Sequence, residues 1–296
     1  MSAPVTCSVV IATVDRPASL RVVLDCLARQ TRPPLEVIIV PAGAPPEVPE
    51  KAGGPVRILR GAESGAARQR NAGAAGARGE VIAFLDDDIE FGPDLFARVL
   101  AHFDESPASA LGALSPRLTD LGRAGPGRLA RWYYSLQAGY ADRDFGGRLF
   151  GPGINCFPVY GESGPERCPA DWLPATCLFV RAELFRRHRF PAFTGYSFAE
   201  DVHLTARIAR EAPVFFLREP AVRHHSLPAA YKRDRAALAA GKLENMAVVA
   251  REAMGLAGWP LRWRWHLHRL FVATALLLRR PEGWGDEIRG IWRARL

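Results

Sequence analysis

The stretch "GEVIAFLDDDIEFGPDLF", residues 79–96, decides the fold. Five apolar residues, Val81-Ile82-Ala83-Phe84-Leu85, run without alternation and stop at three consecutive carboxylates, Asp86, Asp87 and Asp88. A short apolar run bounded by turn residues reads as a strand buried on both faces, as in parallel sheets. Just beyond it, Leu95, Phe96, Val99, Leu100 and Phe103 recur at helical spacing.

The residues upstream repeat this alternation. Residues 8–13 form an apolar strand, and "DRPASLRVVLDCLARQ" then sets Leu20, Val23, Leu24 and Leu27 on one helical face. Asp15 and Pro17 suit the start of that helix. Strands are expected at 35–40 and 56–60, and "SGAARQRNAGAAGARG" (64–79) is a helix whose small residues permit close packing. Alternating strands and helices predict an α/β fold, a mostly parallel central sheet flanked by helices. Ligands of such sheets sit outside the carboxyl ends of the strands. Asp15, the loop after Val40 and the three aspartates all fall there, so they are expected to converge on one crevice.

Further along, residues 118–170 are rich in Gly, Pro, Arg and Tyr and read as loops around short helices, a wall for a cleft. A strand and a turn or helix follow within 171–190, then a helix at 198–210, a strand at 212–217 and a polar helix at 229–253. Hydrophobic residues are 48% of the chain and charged residues 24%, enough for a packed core and against disorder. No repeat indicates a solenoid. The five cysteines are scattered without a C-x-x-C pair, which argues for reduced thiols and against a zinc ribbon. The N-terminus reads as a first strand with neither a basic n-region nor a long apolar stretch, so a cytoplasmic protein is expected.

Three adjacent carboxylates repel and raise one another's pKa unless a cation compensates. A capping turn is the plain explanation. A divalent cation carrying phosphate is the chemical one, since Mg²⁺ or Mn²⁺ takes one or two carboxylates and leaves room for phosphate oxygens.

The segments "SVVIATVDRP", "SGAARQRNAGAAGARGEVIAFLDDD" and "WLPATCLFVRAELF…YSFAEDVHLTARI" resemble, in that order, the family 2 glycosyltransferases, nucleotide-sugar enzymes of the GT-A fold. The likeness covers about residues 6–225. It implies a nucleotide-sugar-binding subdomain at 1–117, an acceptor-binding and catalytic subdomain at 118–228, and a C-terminal helical extension at 229–296. Asp86 and Asp88 match the two acids of a D-x-D motif, the first near ribose and metal, the second a metal ligand. Asp87 touches the ribose or points elsewhere. Thr13, Asp15 and Arg16 follow the first strand beside the nucleotide; the alternative for Asp15 is a helix N-cap. Arg70 contacts the base or steadies its loop, or is a surface salt bridge. Asn71 accompanies it on the donor side, fixing backbone geometry more than touching substrate.

Asp201 matches the second acid of the family's E-D motif, which looks like the general base of an inverting transfer, with Glu200 orienting the site. The alternative is two acids complementing a helix dipole. His224 or His225, after "EPAVRHH", resembles a histidine that completes the metal shell in several relatives; polar surface is the alternative. Two departures stand out. The acidic pair that family members carry after the second strand is replaced by Val40-Pro41-Ala42-Gly43, which casts doubt on uridine and favours thymidine or guanosine. Ala175 replaces a common glycine. With no Q-x-x-R-W motif, a single transfer is expected rather than processive synthesis.

Net charge is +8, and residues 259–296 hold eight arginines against Glu282, Asp286 and Glu287, with five of the seven tryptophans. The uncharged run 270–278 is too short to span a bilayer, which needs about 20 residues. An interfacial helix on an anionic membrane or a helix packed on the domain are the two readings. No nucleic-acid-binding signature accompanies the basic residues. The expected activity is metal-dependent transfer of one sugar from a nucleoside-diphosphate donor to a hydroxyl acceptor. An inactive sugar- or lipid-binding relative and a nucleotidyltransferase are the alternatives.

Overall fold

The computed structural model describes residues 3–107, 109–121, 125–161, 163–193, 198–225 and 234–296. Strand β1 (Cys7–Thr13) leads into α1 (Pro17–Ala28), β2 (Glu36–Pro41), a short β3 (Lys51–Ala52), β4 (Gly54–Ile58), α2 (Ala66–Ala75) and β5 (Val81–Leu85). Next come β6 (Ile89–Phe91), α3 (Leu95–Glu105), β7 (Ala113–Leu118), α4 (Arg128–Ala138), and a hairpin of β8 (Leu149–Phe150) and β9 (Ile154–Asn155). The chain continues through β10 (Arg167–Ala170), β11 (Cys177–Arg181), α5 (Ala182–Arg187), α6 (Glu200–Ala209) and β12 (Val214–His224). It ends in α7 (Arg235–Glu252), α8 (Gly258–Arg279) and α9 (Trp284–Arg293).

The central sheet has the order β10-β12-β7-β11-β5-β1-β2-β4-β3, with β6 also paired to β12. Strands β5, β1, β2 and β4 are mutually parallel, as are β7 and β12, and β11 is inserted antiparallel between β5 and β7. Alternate residues explain why these strands read as continuous apolar runs. Val9, Ile11, Val37, Ile39, Val81, Ala83 and Leu85 enter one core with α1 and α3. Val10, Ile38, Val40, Ile82 and Phe84 enter a second core with α2, α5 and α6. Because side chains alternate faces, a strand covered on both sides must be apolar throughout.

Helix α2 lies tight on this sheet at Gly73. A Cβ there would stand 2.5 Å from Val10 Cγ1 and 3.0 Å from Val40 Cγ2. The small residues seen in sequence therefore set the depth of the helix that carries Arg70.

Several short strands escaped the sequence reading, since two to four residues carry no periodicity. The strand expected at 212–217 extends to His224, with a register irregularity between Phe216 and Ala221. Beyond that irregularity, β12 pairs antiparallel with β6, and His224 stands opposite Ile89. The expected N-cap at Asp15 is corrected. Arg16 is the N-cap of α1, no side chain caps it, and Asp15 is exposed with φ 48°. Of the polar helix expected at 229–253, residues 229–233 and the subdomain boundary at 228/229 lie outside the described residues; α7 accounts for the rest. All five cysteines are unpaired.

A third core joins α4 and the β8–β9 hairpin to the C-terminal helices through Tyr133, Phe145, Phe150, Met246, Trp265 and Ile291. The tail thus packs on the domain with one face. Helices α7 and α9 cross closely at Gly290, where a Cβ would meet the Ala236 carbonyl oxygen at 2.1 Å. No described helix is long and apolar enough to cross a membrane.

Candidate active site

The three aspartates leave β5 in different directions. Asp87 turns inward and is 5% exposed. Its Oδ2 accepts a 2.6 Å hydrogen bond from the Thr13 hydroxyl, and its Oδ1 a 3.3 Å bond from Arg16 Nη1. Burial still pushes its carboxyl up, against the Thr13 and Arg16 contacts. Asp87 therefore ties β5 to the loop after β1. Arg16 also donates to Asp88 Oδ2 at 3.2 Å.

Asp86 and Asp88 face His224, and one ligand atom from each of the three lies within 4.8 Å of the others. The β6–β12 ladder brings them together, because β6 starts directly after Asp88 and its register sets His224 alongside. The His225 N–H donates to the Asp88 carbonyl at 2.9 Å, fixing the same alignment. His224 Nε2 is 3.3 Å from Asp88 Oδ1, and Nδ1 is 3.3 Å from Asp120 Oδ2. The hydrogen bond with Asp88 raises the His224 pKa, opposed by partial burial. Two carboxylates and an imidazole at this spacing form a donor set suited to Mn²⁺ or Mg²⁺. Asp120 holds the other ring nitrogen, as outer carboxylates do for metal-bound histidines. His225 belongs elsewhere, 3.5 Å from Glu90.

Glu200 and Asp201 begin α6, where the helix dipole favours negative charge. Asp201 Oδ1 accepts from the Val202 N–H at 2.8 Å and Oδ2 from the Ala175 N–H at 3.3 Å. Thr205 anchors this turn: its hydroxyl accepts from the Leu173 N–H and contacts the carbonyl of Asp201. Burial raises both acids, and Glu200 is pushed up to about 8 by burial and by the Asp201 charge.

Arg70 joins the two acidic centres. Its Nη2 donates to Asp86 Oδ1 at 2.6 Å and its Nη1 to Glu200 Oε1 at 3.2 Å. The side chain is 7% exposed, so this is a buried bridge and not a surface salt bridge. Burial opposes its charge, but Asp86 and Glu200 outweigh that and hold it ionised. One acid of the D-x-D motif and one of the E-D pair are therefore joined through a single guanidinium. Asn71 is spent on structure, with its amide nitrogen donating to the Phe190 carbonyl and its oxygen accepting from the Phe190 N–H.

Two contributors were missed in the sequence. Gln69 donates to the carbonyls of Thr13 and Val40, holding the ends of β1 and β2 together. Its place beside Arg70 was the available signal. Asp120 sits in a loop and had none. Where the family's acidic pair is missing, Asp15 Oδ1 overhangs Gly43, 3.5 Å from where a Cβ would stand.

The family model described as Glycosyl transferase family 2 matches residues 8–157, half of the chain. The chain belongs to that family. Glu200 and Asp201 lie beyond the matched segment. An uncharacterized glycosyltransferase of Haemophilus influenzae is 33% identical over 103 residues, which are 34% of this chain and 35% of that relative, so the chain spans about a third of that relative's length. Among solved structures, the mannosyltransferase PcManGT from Pyrobaculum calidifontis, in complex with GDP-Man and Mn²⁺, superposes with a TM-score of 0.57 at 16% identity. That match covers 98% of this chain and 85% of the other. GalNAc-T7 with UDP, GalNAc and Mn²⁺ gives a TM-score of 0.59 at 14% identity, covering 98% of this chain and 54% of its own. These likenesses support the GT-A fold.

Proposed function

We propose that this transferase moves one hexosyl or deoxyhexosyl group from a nucleoside-diphosphate-sugar to a hydroxyl acceptor with inversion. The observation that supports the reading is the Arg70 bridge, which links Asp86, one candidate metal ligand, to Glu200, the neighbour of the candidate base.

Asp86, Asp88 and His224 would hold a divalent cation, which when bound supplies Lewis-acid neutralisation of the donor diphosphate. Thr13, Asp15 and Arg16 line the donor side at the carboxyl ends of the strands, and Asp15 brings a carboxylate to the loop that lacks the family's acids. Asp201 is the base. The two N–H groups of Val202 and Ala175 orient its carboxylate and leave each oxygen a lone pair for the acceptor. As the acceptor oxygen bonds to the anomeric carbon, its proton passes to Asp201. The bond from that carbon to the diphosphate oxygen breaks, and the electron pair leaves with the diphosphate. Base catalysis of this kind contributes about 10²–10⁴ in rate. Glu200, pushed up to about 8, keeps most of its proton at neutrality, and its Oε1 accepts from Arg70 Nη1 and keeps that side chain in place.

The test is donor turnover. Purified protein with Mn²⁺ is expected to release nucleoside diphosphate slowly from a nucleotide sugar. Release of pyrophosphate would assign a nucleotidyltransferase, and release of neither a binding protein. A thermal-shift screen of nucleoside diphosphates identifies the base, because a bound ligand raises stability by mass action.

A further inference from the structure

Helices α4 and α8 pack on one another, and neither contains an acidic residue. The Tyr133 ring stacks on Phe271 at 3.7 Å, and Gln137 donates to the Arg264 carbonyl. Away from this contact both helices present apolar side chains to solvent. On α4 these are Leu129, Trp132 and Leu136, at 67%, 64% and 43% exposure and at one-face spacing. On α8 they are Trp259, Leu270 and Leu277, at 76%, 54% and 48%, spaced by whole turns along one line. Arg128 on α4 and Arg262 on α8 stand exposed along these helices. An adjoining face of α8, with Leu261, Trp265 and Ala273, is committed to the protein.

A single exposed leucine means little, but indoles and leucines lined up on two adjoining helices do. Apolar rows beside arginines, without one carboxylate, are the composition of a helix lying in a lipid headgroup layer. We propose that the α4–α8 face docks on an anionic bilayer, with the indoles of Trp132 and Trp259 among the headgroups and the arginines on lipid phosphates. Charge selects this occupant. A second copy meeting the same face would set arginines against arginines, which opposes association. The inference does not depend on the sugar-transfer reading, because it is measured by partitioning and not by turnover.

The experiment is co-sedimentation of the full chain with phosphatidylcholine vesicles and with vesicles of phosphatidylcholine and phosphatidylglycerol in equal parts. Binding is expected to the second kind only, and to weaken with salt. A Trp132→Ser, Trp259→Ser, Leu270→Ser variant changes only exposed positions. It should keep its melting temperature and lose at least about tenfold in partition. If that variant melts early, Arg128→Gln with Arg262→Gln carries the same test, each change costing about fivefold. Wild-type protein left in the supernatant with anionic vesicles, or a triple variant that sediments as well as wild type, overturns the proposal. So does a lipid-free dimer that the triple variant abolishes, which would assign the face to a second copy.

Discussion

Replacing Arg70 by methionine removes the bridge while keeping the length of the side chain. Two contacts disappear, the 2.6 Å bond to Asp86 and the 3.2 Å bond to Glu200. A hydrogen bond to a charged group is worth about 1.5–3 kcal/mol, so losing both costs about 4 kcal/mol when both acids are ionised. Glu200 makes the cost depend on pH. Its folded pKa of about 8 lies above the ordinary 4.5 of a glutamate, so its ionisation takes stability away as pH rises from the lower value to the higher. Arg70 offsets part of that loss. Below this window Glu200 carries its proton in both proteins, and the variant loses mainly the Asp86 contact, about 2 kcal/mol. Urea unfolding at about one unit above and two units below the Glu200 pKa should give deficits differing by about 1 kcal/mol, with a ceiling of about 1.4 kcal/mol, larger on the alkaline side. Equal deficits at both pH values would show that Arg70 and Glu200 do not interact as charges, and the link between the two acidic centres would lose its main support.

Three other outcomes follow from the geometry. Asp201→Asn should lower kcat by at least about 10²-fold with donor affinity nearly unchanged, as read by turnover and by titration of donor; a parallel loss of donor binding would remove the base assignment. Asp88→Ala should abolish the gain in donor affinity that Mn²⁺ confers, measured calorimetrically with and without the ion, and an undiminished gain would take Asp88 out of the ligand set. Gly73→Leu should destabilise the fold by about 1–3 kcal/mol, because its side chain must enter space held by Val10 and Val40. It should also weaken donor binding by lifting Arg70; a normal melt would mean α2 can rise off the sheet at no cost.

The parts of the fold that could be read in sequence are those whose burial is regular. Residues 81–85 bury every side chain, which only a strand covered on both faces requires, and the acids after Leu85 mark its carboxyl end. The same reasoning located Asp86 and Asp88, while Asp201 and His224 came through resemblance. What stayed hidden depends on pairing between distant segments. Ile89 to Phe91 gave no pattern, yet their ladder with β12 selects His224 over His225. Asp120 and Gln69 act through contacts that no spacing encodes. Arg70 was visible, but its bridge to Glu200 spans 130 residues and exists only in the folded chain.

The irregularity in β12 between Phe216 and Ala221 works as a vernier on the candidate cation site. Val214–Phe216 pair with Ala113–Ser115 of β7 and Ala221–Val222 with Arg117–Leu118, and past the shift the strand also pairs with β6, which sets His224 opposite Ile89, the residue after Asp88. In a ladder whose side chains alternate, a slip of one position would turn that imidazole to the other face. Shortening or lengthening residues 217–220 would thus detune the cluster without altering any of its donor atoms.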